Sequence, residues 1–311
     1  MIVTRLEGGL GNQLFQYALG RKLSLHHGVE LRLDCECYRR DSARKFVLDQ
    51  FPIQATQATL SDIWRACPSE AASRVVVRLR PSRLAHSVAA RLHSPYRLGE
   101  FHPVEAMPPL MHGKVVRERH YHFDKEVLRS PNGSALIGFW HSERYFQDVR
   151  PQLLAELRVP PGDSAMARRI AECESVSLHV RRTDMVKDPR YTATTAQYCH
   201  RAMEVFRAKL ERPQFFVFSD DAGWAYENLV TSPDVHMVSE EKGGDAVEEF
   251  RLMSHCRHHV LAASTFSWWA AWLNDRPEKV VVAPPASVWL KQPNCDARDL
   301  LPPEWEQIPV E

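Results

Sequence analysis

The chain has 311 residues, which is enough for two domains of ordinary size. Apolar residues make up 44% of the sequence and charged residues 25%, as is typical of a compact soluble protein. The formal net charge of +1 gives no overall field that would attract nucleic acid or an acidic membrane. We therefore expect no nucleic-acid partner, and any electrostatic function must be local.

The cysteines and the amino-terminal residues favour a cytoplasmic protein. The seven cysteines are scattered and include no CxxC pair, so we expect reduced thiols and no zinc site. The sequence opens with no basic region leading into an apolar core, and no run approaches the roughly 18 apolar residues of a membrane span. We expect a cytoplasmic location, with any membrane contact being peripheral and at the inner face.

The first elements predict parallel α/β packing. Residues 2–6 read as a short apolar strand, residues 8–12 as a glycine turn, residues 14–25 as a helix and residues 30–34 as a second strand. Because a helix connects the two strands, they are expected to lie parallel, with the helix packed on the sheet.

Residues 63–97 carry seven arginines and one acidic residue, Glu70. Two interpretations stay open. The segment is either a solvated helical hairpin with its apolar residues against the core, or a surface that lies on anionic lipid headgroups, where a lipid-linked acceptor would sit. Pro81 and Pro95 interrupt the segment, which argues against a single long amphipathic helix.

A domain boundary is predicted at residues 150–163, where prolines and Gly162 surround a leucine-rich helix. Before the boundary, strands are predicted at 115–119 and 135–140. Beyond it, strands are predicted at 175–180, 215–218, 259–262 and 280–283, and helices at 196–210, 222–229, 246–254 and 266–273. This alternation predicts a doubly wound parallel sheet, whose ligands bind beyond the carboxyl ends of the strands.

The first of four candidate binding motifs is GGLGNQ, at residues 8–13. Gly9 and Gly11 allow a ligand to approach the backbone closely, and the following helix offers free N–H groups to an anion. The spacing differs from the dinucleotide fingerprint. A plain turn would use the same glycines, but Asn12 and Gln13 add two amides that can bond sugar hydroxyls or phosphate oxygens.

The second motif is HVRRTD, at residues 179–184, directly after an apolar strand. Two guanidinium groups at the carboxyl end of a strand suit a diphosphate, which Arg181 and Arg182 can hold through paired hydrogen bonds. The alternative is a structural arginine paired to Asp184, with Arg181 solvated. The motif alone does not separate the two interpretations.

The third motif is FSDD, at residues 218–221, again directly after an apolar strand. Acidic side chains in this position can accept hydrogen bonds from a ribose or a guanine, or ligate a metal. They can equally begin the next helix, and we expect Asp220 or Asp221 to be its N-cap.

The fourth motif is ASTFSWW, at residues 263–269. Small hydroxyl residues before an aromatic helix gather hydroxyls and backbone N–H groups at a helix start, where phosphate fits. Trp268, Trp269 and Trp272 are expected to pack in the core rather than stack on a sugar or base. Three of the four motifs follow strands of one sheet, and together they predict a nucleotide-diphosphate site.

These residues resemble the α-1,2-fucosyltransferases of glycosyltransferase family 11 over nearly the whole chain. The similar blocks are GGLGNQLFQYA at 8–18, YHFD at 121–124, GFWHSERYF at 138–146, HVRRTD at 179–184, LMSHC at 252–256 and STFSWW at 264–269. The block at 179–184 is similar to the HxRRxD motif that α-1,6- and protein O-fucosyltransferases share.

The resemblance implies an α/β fold of the GT-B type, with two Rossmann-like parallel-sheet domains facing across a cleft. Residues 1–150 would form the acceptor side, and residues 151–311 would bind GDP-fucose. The implied reaction is inverting transfer of L-fucose from GDP-β-L-fucose to the 2-hydroxyl of a galactose-terminated glycan, in surface-glycan or O-antigen synthesis. It implies no metal and no cofactor.

By the same resemblance, Arg182 would hold the diphosphate and offset the charge that develops as GDP leaves. His179 and Arg181 would support it. Asp184 and Glu143 are the acids to test as the base that deprotonates the acceptor hydroxyl, although a loose transition state needs little help from a base.

Further contacts to the donor are implied for the other motifs. Asp220 would read the guanine or the ribose, and Asn12 and Gln13 would reach the donor from the first domain, beside Gly9 and Gly11. The phosphates would be held by Ser264, Thr265, Phe266 and Ser267.

Four positions depart from the family pattern. Thr183 and Met185 stand where glycine and tyrosine are common, Ala263 replaces an asparagine, and His141 stands where glutamine is usual. Three alternatives stay open: a fucosyltransferase of another linkage, such as α-1,6; a GT-B transferase that uses another nucleotide sugar; and a non-catalytic glycan-binding protein.

Overall fold

The computed structural model describes residues 1–40, 44–68, 71, 114–239, 244–291 and 295–311. They form two compact units, one of Met1–Asp49 with Ile53–Arg150 and one of Gln50–Pro52 with Pro151–Glu311. Each unit is built on a parallel sheet with helices, which confirms the predicted α/β class.

The first unit contains a five-stranded parallel sheet in the order β3-β2-β1-β5-β4. Its elements are β1 (Ile2–Arg5), α1 (Leu10–His27), β2 (Leu31–Asp34), α2 (Glu36–Arg40), β3 (Thr56–Gln57), α3 (Leu60–Ala66), β4 (Val115–Arg117) and β5 (Ala135–Ile137). Short 3-10 helices cover Leu48–Gln50, Lys125–Arg129, Glu143–Tyr145 and Gln147–Val149. The strand predicted at 135–140 therefore ends early, at Ile137.

Helix α1 begins at Leu10, so the glycine turn predicted at residues 8–12 is shorter than expected. Gly9 is the extended N-cap, and its carbonyl accepts the N–H groups of Asn12 and Gln13. Those two residues therefore lie in the first helical turn. The helix ends at Gly28, whose left-handed backbone (φ 62°) donates its N–H to the carbonyl of Leu25.

The second unit contains a six-stranded parallel sheet in the order β11-β10-β9-β6-β7-β8. Its strands are β6 (Glu174–Val180), β7 (Pro213–Ser219), β8 (Val235–Met237), β9 (His258–Val260), β10 (Val281–Ala283) and β11 (Glu306–Gln307). Its helices are α4 (Arg150–Leu157), α5 (Ala165–Glu172), α6 (Ala196–Lys209), α7 (Ala222–Leu229), α8 (Ala246–His255) and α9 (Thr265–Leu273), with a 3-10 helix at Ala286–Val288.

Strand β6 is buried on both faces, as central strands of doubly wound sheets are. Val176, Leu178 and Val180 pack into one hydrophobic core with α6 and α7. The alternate residue His179 faces the other way and contacts Phe266 of α9, with ring centroids 5.5 Å apart. Helices thus cover both faces of this sheet, and side chains at the end of β6 emerge on two sides.

Three expectations concern features beyond the sheets. The tryptophans of α9 lie in the core as predicted, with exposures of 0%, 0% and 2% for Trp268, Trp269 and Trp272. All seven cysteines lie in described segments, and no disulfide joins any two of them. None of the helices formed by the described residues has the length and apolar composition that a bilayer span requires. Most of the arginine-rich segment at 63–97 lies outside the described residues.

Candidate functional site

The second sheet brings three of the predicted motifs together. β9, β6 and β7 are neighbours and run parallel, so their carboxyl ends lie at one edge. Residues 181–184, 220–221 and 261–264 follow these three strands. The prediction that the motifs follow strands of one sheet is confirmed. We call this set of loops the second-sheet edge.

Arg182 is held at this edge from two sides. Its guanidinium carbon lies 3.9 Å from the centroid of the Trp224 ring, and Nη1 donates to the carbonyl of Thr194 at 2.7 Å. Nε lies 3.6 Å from Asp221, too far for a hydrogen bond. Nη2 has no hydrogen-bond partner among the described residues, and the side chain is 20% exposed. The guanidinium is therefore fixed in place with donors still available.

Asp220 holds the loop that carries Arg182. One carboxylate oxygen accepts the Arg182 backbone N–H at 2.8 Å, and the other accepts the Thr183 hydroxyl at 2.6 Å. Arg181 Nη1 lies 3.1 Å from that second oxygen. Sequence reasoning gave Asp220 to the guanine or the ribose, but in the structure both oxygens are occupied by the loop. The N-cap expected of one acid belongs to Asp221, which accepts the N–H of Trp224.

Arg181 is paired with acids at both ends of its guanidinium. Nη2 lies 2.6 Å from Asp184 and Nη1 lies 3.1 Å from Asp220. An arginine is therefore paired with Asp184, but it is Arg181, which the structural alternative above had left solvated. Two carboxylates therefore offset the charge of Arg181, whereas the Trp224 ring and the Thr194 carbonyl hold Arg182.

His179 is buried, at 6% exposure, and its Nδ1 has no hydrogen-bond partner among the described residues. Burial, with a smaller contribution from the nearby Arg181 cation, lowers its pKa to about 3. The imidazole is therefore neutral at pH 7. It can support a ligand through one N–H donor, but it contributes no positive charge to a diphosphate.

The serine-rich motif begins α9. Ser264 is the N-cap and accepts the N–H of Phe266 at 3.3 Å. Ser267 is fully buried and donates to the Ser264 carbonyl at 3.2 Å, so its hydroxyl serves the helix start. The ring of Phe266 packs on His179 and on Phe250. The Ser267 hydroxyl and the Phe266 ring are thus engaged in contacts within the protein.

In the first unit, β1 and β5 are neighbours, so the GGLGNQ motif and the block at 138–146 meet at one edge. We call it the first-sheet edge. The Gln16 amide joins the two segments, because it accepts the N–H of Glu7 at 2.9 Å and donates to the Gly138 carbonyl at 3.1 Å. The order of the strands in the sheet thus brings these two blocks together.

Asn12 and Gln13 have different surroundings, although sequence reasoning gave them one role. Gln13 is fully buried, donates to the carbonyls of Gly8 and Lys45, and accepts the N–H of Val47. Its amide thus holds the segment at 45–47, and its expected contact with the donor stays a prediction. Asn12 is half-buried at the edge, beside Gly9 and Gly11 in the first turn of α1.

Sequence reasoning missed Thr194 and Trp224, the two residues that hold the Arg182 guanidinium. Trp224 lies in the first turn of α7, four residues after Asp220, so its place near the strand end could have been inferred. Thr194 lies in the segment after HVRRTD, where no pattern singles it out. Among the described residues, no group of three His, Cys, Asp or Glu side chains is arranged to hold a metal ion.

Comparison with known proteins identifies related sequences. The family model "Glycosyl transferase family 11" matches residues 122–308, which is more than half of the chain. An α-1,2-colitosyltransferase of Escherichia coli is 28% identical over 323 aligned positions, which cover 99% of each chain. The galactoside α-(1,2)-fucosyltransferase 2 of Mus musculus is 29% identical over 212 positions, 63% of this chain and 59% of the mouse protein.

A solved structure of the fucosyltransferase NodZ from Bradyrhizobium also matches this chain. It aligns with 15% identity and a TM-score of 0.43, covering 87% of this chain and 92% of that one.

Proposed function

Because the chain belongs to glycosyl transferase family 11 and is therefore a glycosyltransferase, we propose that it transfers L-fucose from GDP-β-L-fucose to the 2-hydroxyl of a terminal galactose. The proposal has three parts: a diphosphate-binding edge, a 6-deoxy sugar donor and a galactoside acceptor. Each part has its own support.

The main support for a diphosphate site is that the guanidinium of Arg182 is fixed in place. Trp224 and Thr194 fix its position, and Nη2 remains without a partner among the described residues. A donor fixed before the reaction stabilises developing negative charge without paying for reorganisation. We place the β-phosphate of GDP at Nη2, with backbone N–H groups at the start of α9 as further donors.

The chemical step is a displacement at the anomeric carbon. The acceptor oxygen forms a bond to C1 of the sugar, the bond between C1 and the phosphate oxygen breaks, and the electron pair leaves with GDP. We propose that Arg182 offsets this charge and that no metal is required. The hydroxyl proton passes to a base, and Asp184 is the first acid to test because its side chain is 51% exposed beside Arg181. Glu143 is the second.

The 2-linkage and the galactose acceptor are supported by the similarity to the mouse relative, a galactoside α-(1,2)-fucosyltransferase. We propose that the acceptor is a surface-glycan or O-antigen repeat, since an O-antigen biosynthesis glycosyltransferase of Escherichia coli is 28% identical over 90% of this chain. A lipid-linked acceptor at the inner face of a membrane remains a proposal that depends on residues 63–97.

A second donor is favoured by one observation. The E. coli relative that covers 99% of both chains is a colitosyltransferase. Colitose is fucose without its 3-hydroxyl, so the two donors share the nucleotide, the leaving group and the methyl group at C5. GDP-colitose is therefore the alternative donor, and the acceptor chemistry would be unchanged.

The test compares the two donors in separate reactions, in buffer containing EDTA. The purified protein is incubated with a β-galactoside and either GDP-fucose or GDP-colitose, and the linkage of the product is determined by NMR. We expect an α-1,2-linked product from GDP-fucose, and stabilisation against heat by GDP but not by UDP or ADP. Transfer from GDP-colitose alone would select the second donor, while stabilisation by UDP or ADP alone would contradict both.

A further inference from the structure

The first-sheet edge contains a chain of three polar side chains, of which Tyr121 and His141 are buried and Asn12 is half-buried. His141 Nδ1 lies 3.0 Å from the hydroxyl of Tyr121, and His141 Nε2 lies 3.3 Å from Oδ1 of Asn12. His141 is 7% exposed, and its ring also packs against Phe15 and Phe139, at centroid distances of 4.9 and 5.3 Å. The imidazole thus connects Asn12 with two later segments of the chain.

The hydrogen-bond chemistry fixes the state of this imidazole. The Asn12 oxygen can only accept, so Nε2 must carry a proton. Burial lowers the pKa of His141 to about 3, and the ring is therefore neutral at pH 7. A neutral ring protonated on Nε2 has its lone pair on Nδ1, where the Tyr121 hydroxyl donates. Tyr121 thus selects the tautomer that donates to Asn12.

The Asn12 amide is restricted on its other side as well. Gly8 has a left-handed backbone (φ 81°), and a Cβ added to it would lie 2.6 Å from Asn12 Nδ2. The amide nitrogen therefore lies directly against the Gly8 backbone while the oxygen faces His141. Both ends of the amide are in fixed surroundings, so its orientation is set before a ligand binds.

The backbone that delivers His141 is strained. Trp140 is fully buried and has a φ of 63°, the one positive φ of a non-glycine residue in the described part of the chain. Such a conformation is unfavourable for a residue with a side chain and persists only where the surroundings enforce it. The buried carboxylate of Glu118 enforces it here, because it accepts the N–H groups of Phe139 and Trp140 at 2.8 and 2.9 Å.

We propose that His141 is a positioning residue, which acts through its hydrogen bond to Asn12 and orients that amide for contact with the substrate at the first-sheet edge. Tyr121 holds the required tautomer, and Glu118 holds the strained turn that places the ring. This inference rests on the proposed function, since it takes Asn12 to touch the substrate.

Two substitutions separate hydrogen bonding from packing. His141→Gln keeps one donor and one acceptor at a similar reach but loses the ring. His141→Phe keeps the ring contacts with Phe15 and Phe139 but loses both nitrogens. We expect His141→Gln to retain kcat/KM within about threefold and His141→Phe to lose about tenfold or more, as loss of one well-placed hydrogen bond does. The reverse order would overturn the proposal in favour of a packing role.

A double-mutant cycle tests whether His141 acts through Asn12. If it does, His141→Phe causes little further loss in an Asn12→Ala background, because the interaction is already absent. Additive losses, or full activity of Asn12→Ala, would overturn the proposal. The proposed function would still stand in that case if the wild type transfers sugar from GDP-fucose or GDP-colitose. An inactive wild type would instead overturn the proposed function, and with it the substrate role of Asn12.

A readout without activity covers variants that fold poorly. In ¹⁵N-histidine NMR spectra of the full chain, the His141 signals are assigned by their loss in His141→Gln. We expect a neutral ring protonated on Nε2 between pH 5.5 and 8, and a change of tautomer in Tyr121→Phe. A ring protonated on Nδ1 in the wild type would overturn the proposal.

Discussion

The guanidinium of Arg182 lies over the indole of Trp224, with its Cζ 3.9 Å from the ring centroid. Trp224 belongs to α7, which follows β7, whereas Arg182 follows β6. The contact therefore joins two neighbouring strand ends, and it fixes the cation on which the proposed diphosphate site depends. A cation–π contact of this kind is worth about 0.5–2 kcal/mol.

Replacing Trp224 tests this contact. We expect Trp224→Leu to lower kcat/KM for the donor by about 5- to 20-fold, because Arg182 loses the surface that orients it. Trp224→Phe should fall between that variant and the wild type. Tyr226→Leu, on the same helix and 63% exposed, is the matched control. Steady-state kinetics of Trp224→Leu at the wild-type level would mean that Arg182 needs no stacking partner.

The role of Asp220 is tested by comparing two nucleotides. Hypoxanthine, the base of IDP, lacks the 2-amino group of guanine. A carboxylate that accepts a hydrogen bond from this group would therefore bind GDP more tightly than IDP. The hydrogen bonds from Arg182 and Thr183 predict instead that Asp220→Ala weakens GDP and IDP alike, by about tenfold, because the loop loses its acceptor.

Isothermal titration of both nucleotides measures this effect, with Asp163→Ala, whose side chain is 87% exposed, as the control. Selective loss of GDP affinity in Asp220→Ala would show instead that this carboxylate recognises guanine.

Buried neutral histidines make folding sensitive to acid. The pKa values of His141 and His179 are lowered to about 3, and that of His259 is lowered well below its ordinary value, in each case mainly by burial. Near pH 6.5 the unfolded chain takes up protons that the native state does not, so the free energy of unfolding falls as the pH decreases below that value. Above about pH 7.5 these groups contribute no pH dependence.

The His141→Gln variant measures the contribution of one of these histidines to the pH dependence of the free energy of unfolding. Between pH 7.5 and 5.5, each such histidine lowers the free energy of unfolding by about 1.4 kcal/mol. We therefore expect this decrease to be about 1.4 kcal/mol smaller in His141→Gln than in the wild type, measured by urea denaturation at both pH values. An equal decrease in the two proteins would mean that His141 takes up its proton in the native state.

The second-sheet edge was predictable because apolar strands followed by charged residues are visible in the sequence. The strand at 175–180 and the acids after 218 gave the order of the motifs, and the parallel sheet placed them together. The sequence pattern does not show which side chains form hydrogen bonds and ion pairs with one another at this edge. Arg181 and Asp220 are occupied by each other and by the loop, which depends on side-chain geometry rather than on spacing.

The first-sheet edge was harder to predict, for a different reason. Asn12 and Gln13 are adjacent amides in one motif, and nothing in their chemistry indicates that Gln13 turns inward to the segment at 45–47. The sequence pattern predicts Trp140 as the end of a strand, because hydrophobicity predicts burial but carries no information about a positive φ. The carboxylate that supports it, Glu118, lies 22 residues earlier in the sequence.

Substitution of Arg182 is the most direct test of the central claim, that a held arginine stabilises the departing nucleotide. The measurement is kcat/KM for GDP-fucose in EDTA, for the wild type, Arg182→Ala and the exposed control Arg168→Ala. We predict that the wild type and the control have equal activity and that Arg182→Ala loses about 100-fold or more. An Arg182→Ala enzyme as active as the wild type would contradict the account.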